Sequence, residues 1–135
     1  LNRNKERAEA LAKSLRNVVP ELPVLTEGLD AWESLSGNDY LAIQCTSVGM
    51  WPKAEEAVIA DPRFYEKLSA AADIVYTPAE TEFLRLARAA GKPTVGGLSM
   101  LISQGIHAFS LWTGKTCTAA NEESLLKLVR EALPA

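Results

Sequence analysis

Three short apolar runs, each followed by a helix-like stretch, constrain this chain more than any other feature. They are "DYLAIQCTS" (39–47), "ADIVYTP" (72–78) and "KPTVGG" (92–97). The first is apolar and partly β-branched and lies between Gly37 and Gly49, the second is closed by Pro78, and the third runs into a glycine pair. Such runs fit strands buried in a parallel sheet. The intervening segments have helical spacing. "PRFYEKLS" predicts a short helix. "AETEFLRLARAAG" (79–91) carries Phe83, Leu84, Leu86 and Ala87 and stops at Gly91. "SMLISQGIHAFSLWTG" (99–114) reads as a mostly buried helix with Ser99 as its cap. "NEESLLKLVREALPA" reads as a closing amphipathic helix capped by Asn121. Upstream, "KERAEALAKSLR" (5–16) has Ala8, Leu11, Ala12 and Leu15 on one face, "LPVLT" (22–26) is a strand candidate, and "LDAWESL" (29–35) a short helix or turn. Strands that alternate with helices predict an α/β fold with a parallel sheet. Ligands of such sheets bind beyond the carboxyl ends of the strands. Chemistry is therefore expected in "NRNKER", "CTSVGMWP", "VYTPAET" and "GGLSML".

Charge is unevenly placed. The net charge is -3 over 135 residues, yet residues 1–16 hold five Lys/Arg against two Glu. An acidic balance argues against a nucleic-acid binder, and a local cationic cluster suggests a local anion. No apolar run approaches the ~20 residues of a membrane span. Cys45 and Cys117 lack metal-ligand spacing and read as reduced and buried, with the cytoplasm as the default compartment.

A dinucleotide fold ordinarily opens with a strand, a Gly-rich turn and a helix. The eight glycines here contain no GxGxxG. The chain instead starts as though just past a second strand, where an acid would select NAD and an arginine would accept the 2′-phosphate of NADP. Asn2, Arg3 and Arg7 suit the second case, because a guanidinium grips phosphate bidentately and a helix start adds a favourable dipole. The alternative is that both arginines sit on a solvated helix start.

Read together, "NRNKERAEALA", "CTSVGMWP", "DIVYTPAETEFLRLA" and "GLSMLISQGIHAFSLWTG" resemble the shikimate dehydrogenase family, in order and at matching spacing. The family patterns are roughly N-R-T-x-x-(K/R)-A, N-A-T-S-x-G-M-x-P, D-x-x-Y-x-P-x-x-T-x-(F/L)-L and G-x-x-M-L-x-x-Q-x-x-x-x-F-x-x-W-x-G. The resemblance implies a Rossmann-like parallel sheet flanked by helices, incomplete because its first strand and Gly-rich loop are absent. Residues 1–135 would form a partial NADP-binding domain, with helices near 99–114 and 121–133 packing toward a missing substrate domain.

By the same resemblance, Asn2, Arg3 and Arg7 would hold the 2′-phosphate of NADP. Cys45, Thr46 and Ser47 would lie under the cofactor. Ile74, through its backbone, and Gly97 would meet the nicotinamide end. Tyr76 and Gln104 would touch shikimate or 3-dehydroshikimate. No catalytic residue falls in the chain, since the family's proton-transferring Lys and Asp belong to the N-terminal domain; the chain alone is expected not to catalyse. Gln44 and Cys45 stand where the family has Asn and Ala, so an added methylene must be packed. Asn4 replaces a common Thr, and either caps a helix.

The implied activity is reversible hydride transfer between NADPH and 3-dehydroshikimate. Its rivals are a quinate/shikimate dehydrogenase using NAD(P) and a non-catalytic nucleotide-binding module. A homodimer is left open. Single residues have plainer readings too: Tyr76 as a packing tyrosine, Gln104 as a satisfied core amide, Asp73 as structural, and Met50, Trp51, Met100 and Trp112 as core or pocket wall. His107 reads as structural and not as a catalyst.

Overall fold

A computed structural model describes residues 1–132 of the chain. They fall into two compact units, Leu1–Gly37 and a second that begins at Asn38.

In the first unit, helix α1 (Lys5–Val18) begins because Asn4 keeps an extended backbone and its side chain accepts the Arg7 N–H at 2.9 Å. Asn2 supports this start twice. Its side-chain oxygen accepts from the Asn4 N–H at 2.9 Å, and its own N–H donates to the Glu27 carbonyl at 3.0 Å. Residues 22–26, expected to be a strand, form none. Their polar groups are taken by helix side chains instead: Arg16 donates to the Val24 carbonyl at 2.6 Å, and Thr26 donates to Glu9 at 2.5 Å. These bonds hold the segment irregular, without a neighbouring strand. A 3-10 helix, Leu29–Ser34, follows and buries Trp32.

The second unit is built on three parallel strands in the order β1 (Tyr40–Gln44), β2 (Leu68–Asp73), β3 (Thr94–Val95). Helix α2 (Pro62–Glu66) and helix α3 (Glu82–Ala89) complete the two crossovers. Helix α3 packs on β2 and β3. Its Phe83, Leu84 and Ala87 are buried together with Phe64, Tyr65, Leu68 and Ala71. Full burial of a large apolar side chain contributes about 1.5–3 kcal/mol, so this cluster is the main stabilising term of the unit. Tyr65 is its centre. The ring is fully buried, lies 5.2 Å from Phe64 and 5.7 Å from Phe83, and donates its hydroxyl to the Ile59 carbonyl at 2.6 Å. Helix α4 (Gly97–Thr113) follows β3 and contacts helix α5 (Ala119–Ala132), with Ser103 donating to Glu122 at 3.1 Å.

Several expectations shift. The second strand is Leu68–Asp73, not 72–78. Its alanines have weak strand propensity but suit a strand pressed beneath a helix. It ends where Asp73 turns back to accept the Val75 N–H at 2.9 Å. The first strand is buried on one face only, because Leu41 and Ile43, at 61% and 58% exposure, alternate outward along an edge strand. Helix α3 starts at Glu82 and not at 79, capped by Thr81. Helix α4 starts at Gly97, so Ser99 lies within its first turn and does not cap it. That helix is not mostly buried: only Gly97, Leu98 and Ile102 are, while Leu111 and Trp112 are both 84% exposed. Helix α5 starts two residues before Asn121. Thr118 accepts from the Asn121 N–H at 3.3 Å, and Asn121 returns an acceptor to the Thr118 N–H at 2.9 Å, the reciprocal geometry of a capping box. Residues 133–135 of the predicted closing segment lie outside the described residues. Neither cysteine is buried: Cys45 is exposed and Cys117 half-buried. The stop at Gly91 is as expected, at φ +73°. No helix among the described residues is long and apolar enough to cross a membrane.

Burial, and secondarily the charge of Glu82, pushes the Tyr65 phenol above its ordinary value. The neutral phenol is thus favoured in the fold, and the unfolded chain releases that proton first. Stability from this group is complete below about pH 10, the unfolded value, and declines above it. Tyr65→Phe should cost about 1 kcal/mol at neutral pH, since one hydrogen bond is lost and the ring stays. It should also flatten the alkaline fall in stability, read from urea midpoints between pH 8 and 11.

Candidate functional site

The loops after the three strands carry most of the residues singled out from the sequence. After β1, Gln44 closes the strand and residues 45–49 turn. The Thr46 hydroxyl accepts from the Val48 N–H at 3.2 Å, and the Ser47 carbonyl accepts from the Met50 N–H at 3.2 Å. Cys45, Thr46 and Ser47 are all exposed. After β2 come Ile74 and Tyr76, 39% and 42% exposed, with Val75 buried between them. Trp51 in the first loop donates its N–H to the Thr77 carbonyl of the second at 3.1 Å, and both loops contain a cis X–Pro bond, Trp51–Pro52 and Thr77–Pro78.

After β3 comes Gly97, the first residue of α4. A Cβ there would stand 2.1 Å from the Ile74 carbonyl oxygen and 2.8 Å from that of Val75. Only glycine lets the helix start press against that backbone, and its N–H donates to the Val75 carbonyl at 3.2 Å. Cys45, Thr46, Ser47, Ile74, Tyr76 and Gly97 thus sit at the carboxyl end of one small parallel sheet. Gln104 is two turns along α4 from Gly97 and is exposed. Gln104 is therefore not a core amide, whereas Tyr76, at 42% exposure, is partly buried, as its plainer reading has it.

Beneath these loops lies a buried polar cluster that sequence reasoning underrated. Asp73, 3% exposed, accepts from the Val75 N–H at 2.9 Å, from the Thr81 hydroxyl at 2.7 Å and from the Gln44 amide at 3.2 Å. Gln44, 5% exposed, also donates to the Val48 carbonyl at 3.0 Å and accepts from the Thr46 N–H. The structural reading of Asp73 holds. Gln44 was legible only as a departure in length, not as the side chain around which a loop folds. His107 bonds the Ser103 carbonyl one turn back at 2.7 Å and is exposed, a local helix contact.

In the first unit, Asn2, Arg3 and Arg7 surround the capped start of α1. Lys5 is committed to Glu27 at 2.9 Å, which raises its pKa, and Arg16 to Glu9 and Val24. Among the described residues, the Arg3 and Arg7 guanidinium groups have no hydrogen bond or ion pair, and both are exposed. Cationic donors at a helix start, where the peptide dipole also favours negative charge, make an anion cradle. The described residues contain no cluster of three or more His, Cys, Asp or Glu that could hold a metal.

Comparison with known proteins agrees with the resemblance. The Shikimate 5'-dehydrogenase C-terminal domain family matches residues 97–118. Over 135 residues the chain is 36% identical to a shikimate dehydrogenase (NADP(+)) of Methanosarcina acetivorans, covering 100% of this chain and 47% of that protein. Among solved structures, a shikimate dehydrogenase in complex with NADP+ superposes with a TM-score of 0.79 at 30% identity, over 99% of this chain and 46% of the other. A Thermus thermophilus shikimate 5-dehydrogenase in complex with NADP(H) and shikimate gives 0.70 at 31%, over 93% and 43%. The chain spans about half the length of the curated relatives it matches.

Helix α4 supplies an internal contrast. Gly97→Ala should lower stability by about 2–4 kcal/mol, because the new methyl overlaps a carbonyl. Gly105→Ala, where a Cβ would meet nothing within 4 Å, should raise it by up to about 1 kcal/mol. Urea unfolding of the two variants reads both signs.

Proposed function

We propose, from the premise that this chain matches the C-terminal half of the shikimate dehydrogenase family, that it is the NADP-seating half of such an enzyme. The reaction is reversible reduction of the keto group of 3-dehydroshikimate to the alcohol of shikimate. NADPH, when bound, supplies the hydride. The residues present fit such a cofactor. Gly97 brings the start of α4 against the Ile74–Val75 backbone at the strand ends, and Arg3 and Arg7 offer charged forks beside a capped helix.

In this reading Arg3 and Arg7, with Asn2 shaping the turn, hold the 2′-phosphate. Cys45, Thr46 and Ser47 line the floor of the cofactor site through their exposed backbone and small side chains. Ile74, through its backbone, and Gly97 would meet the nicotinamide end. Tyr76 and Gln104 each present an exposed polar group that can donate to a substrate hydroxyl. The proton that completes the alcohol comes from a Lys and an Asp outside these residues, so this chain orients and does not itself transfer protons. Shikimate and a substrate-binding N-terminal domain are its implied partners.

One observation carries the preference for NADP over NAD: two exposed guanidinium groups, without carboxylate partners among the described residues, flank the start of a 14-residue helix. In the full-length protein, Arg3→Ala combined with Arg7→Ala should raise the KM for NADPH at least about tenfold, about 1.4 kcal/mol of lost binding. The KM for NADH should stay within about twofold. Equal effects on both cofactors would contradict the assignment, and would leave the quinate-type, NAD-using alternative ahead.

A further inference from the structure

We infer that Gln44 and Asp73 act as a positioning pair that locks the loop after β1 to the loop after β2 and so fixes the floor on which the nicotinamide end of the cofactor is seated. The inference rests on the nucleotide reading above, but its observations stand apart from it. Both side chains are more than nine-tenths buried, and among the described residues no buried side-chain nitrogen or oxygen lacks a partner. The Gln44 amide is spent in three directions. It reaches the Val48 carbonyl at 3.0 Å and Asp73 at 3.2 Å, and its oxygen accepts from the Thr46 N–H. The turn that carries Thr46 and Ser47 is therefore wrapped around one side chain.

Asp73 passes the constraint onward. It fixes the Val75 N–H at 2.9 Å, and the Val75 carbonyl in turn accepts from the Gly97 N–H at 3.2 Å. The Thr81 hydroxyl at 2.7 Å anchors the carboxylate to the cap of α3. A single chain of hydrogen bonds thus runs from Thr46 to Gly97 through two buried side chains. Backbone pairing adds the Ile74 N–H to the Gln44 carbonyl and, farther out, the Trp51 N–H to the Thr77 carbonyl, both at 3.1 Å. Length matters here. An amide one methylene shorter cannot hold both Val48 and Asp73 at these distances without moving the backbone, so Gln44 and this loop are fitted to each other. A buried charge-assisted network that is fully satisfied rigidifies its surroundings, whereas a half-satisfied one loosens them.

The test uses full-length protein and two ligands. NADPH carries both the 2′-phosphate and the nicotinamide ring. 2′,5′-ADP carries only the adenosine and 2′-phosphate end. Gln44→Met keeps length and removes every side-chain hydrogen bond; Gln44→Asn is the milder variant and serves if the first does not fold. The expected result is a rise of about tenfold in the NADPH Kd with the 2′,5′-ADP Kd unchanged within about twofold. Amide hydrogen exchange, measured without ligand, should speed up at both Thr46 and Val75. Equal weakening of both ligands, or unchanged NADPH affinity, would overturn the inference, as would unchanged exchange at either amide. Wild-type protein that binds neither ligand would instead defeat the nucleotide reading, and the exchange data would still judge the tether.

Discussion

The Asp73 carboxylate, buried at the end of the central strand, is the constraint on which the rest of this structure depends. A carboxylate taken out of water must be met by donors, and a missing donor costs several kcal/mol. Here the donors come from three different segments: the end of β1, the turn after β2 and the cap of α3. Satisfying one buried charge therefore fixes where two strands stop and where a helix begins. The apolar cluster around Tyr65 supplies most of the stabilisation, but it is non-directional. The Asp73 network supplies the direction.

That division of labour explains why the strand ends can be both exposed and ordered. Cys45, Thr46, Ser47, Ile74 and Tyr76 all face solvent. Their backbones are held from below by side chains that do not. Gly97 completes the arrangement by steric permission alone, letting a 17-residue helix begin against the Ile74 carbonyl. In the first unit the logic is electrostatic. Glu27 and Glu9 neutralise Lys5 and Arg16, and Arg3 and Arg7 are left with their donors turned to solvent.

The α/β class, the helix at 5–16 and the existence and glycine stop of the helix within 79–91, though not its start at Glu82, could be read from the sequence because apolar periodicity and end signals agree there. The second strand could not be placed correctly. Its alanines carry no strand signal, and the more strand-like Ile74–Tyr76 that follow are the turn. The supposed strand at 22–26 failed because its hydrogen bonds go to Arg16 and to helix side chains, which alternation of apolar residues does not reveal. Helix α4 looked buried because it is apolar almost all round, yet Phe109, Leu111 and Trp112 are exposed. Motif order located the strand-end residues well. It did not disclose that Gln44, noted only for its extra methylene, organises the first of those loops.

The most direct test is a crystal structure of the full-length protein with NADP+ bound. The account predicts the 2′-phosphate within hydrogen-bonding distance, about 2.7–3.0 Å, of the Arg3 and Arg7 guanidinium nitrogens, and the nicotinamide ring against Gly97. A cofactor bound elsewhere, or one whose 2′-phosphate lies in solvent with both arginines turned away, would contradict it.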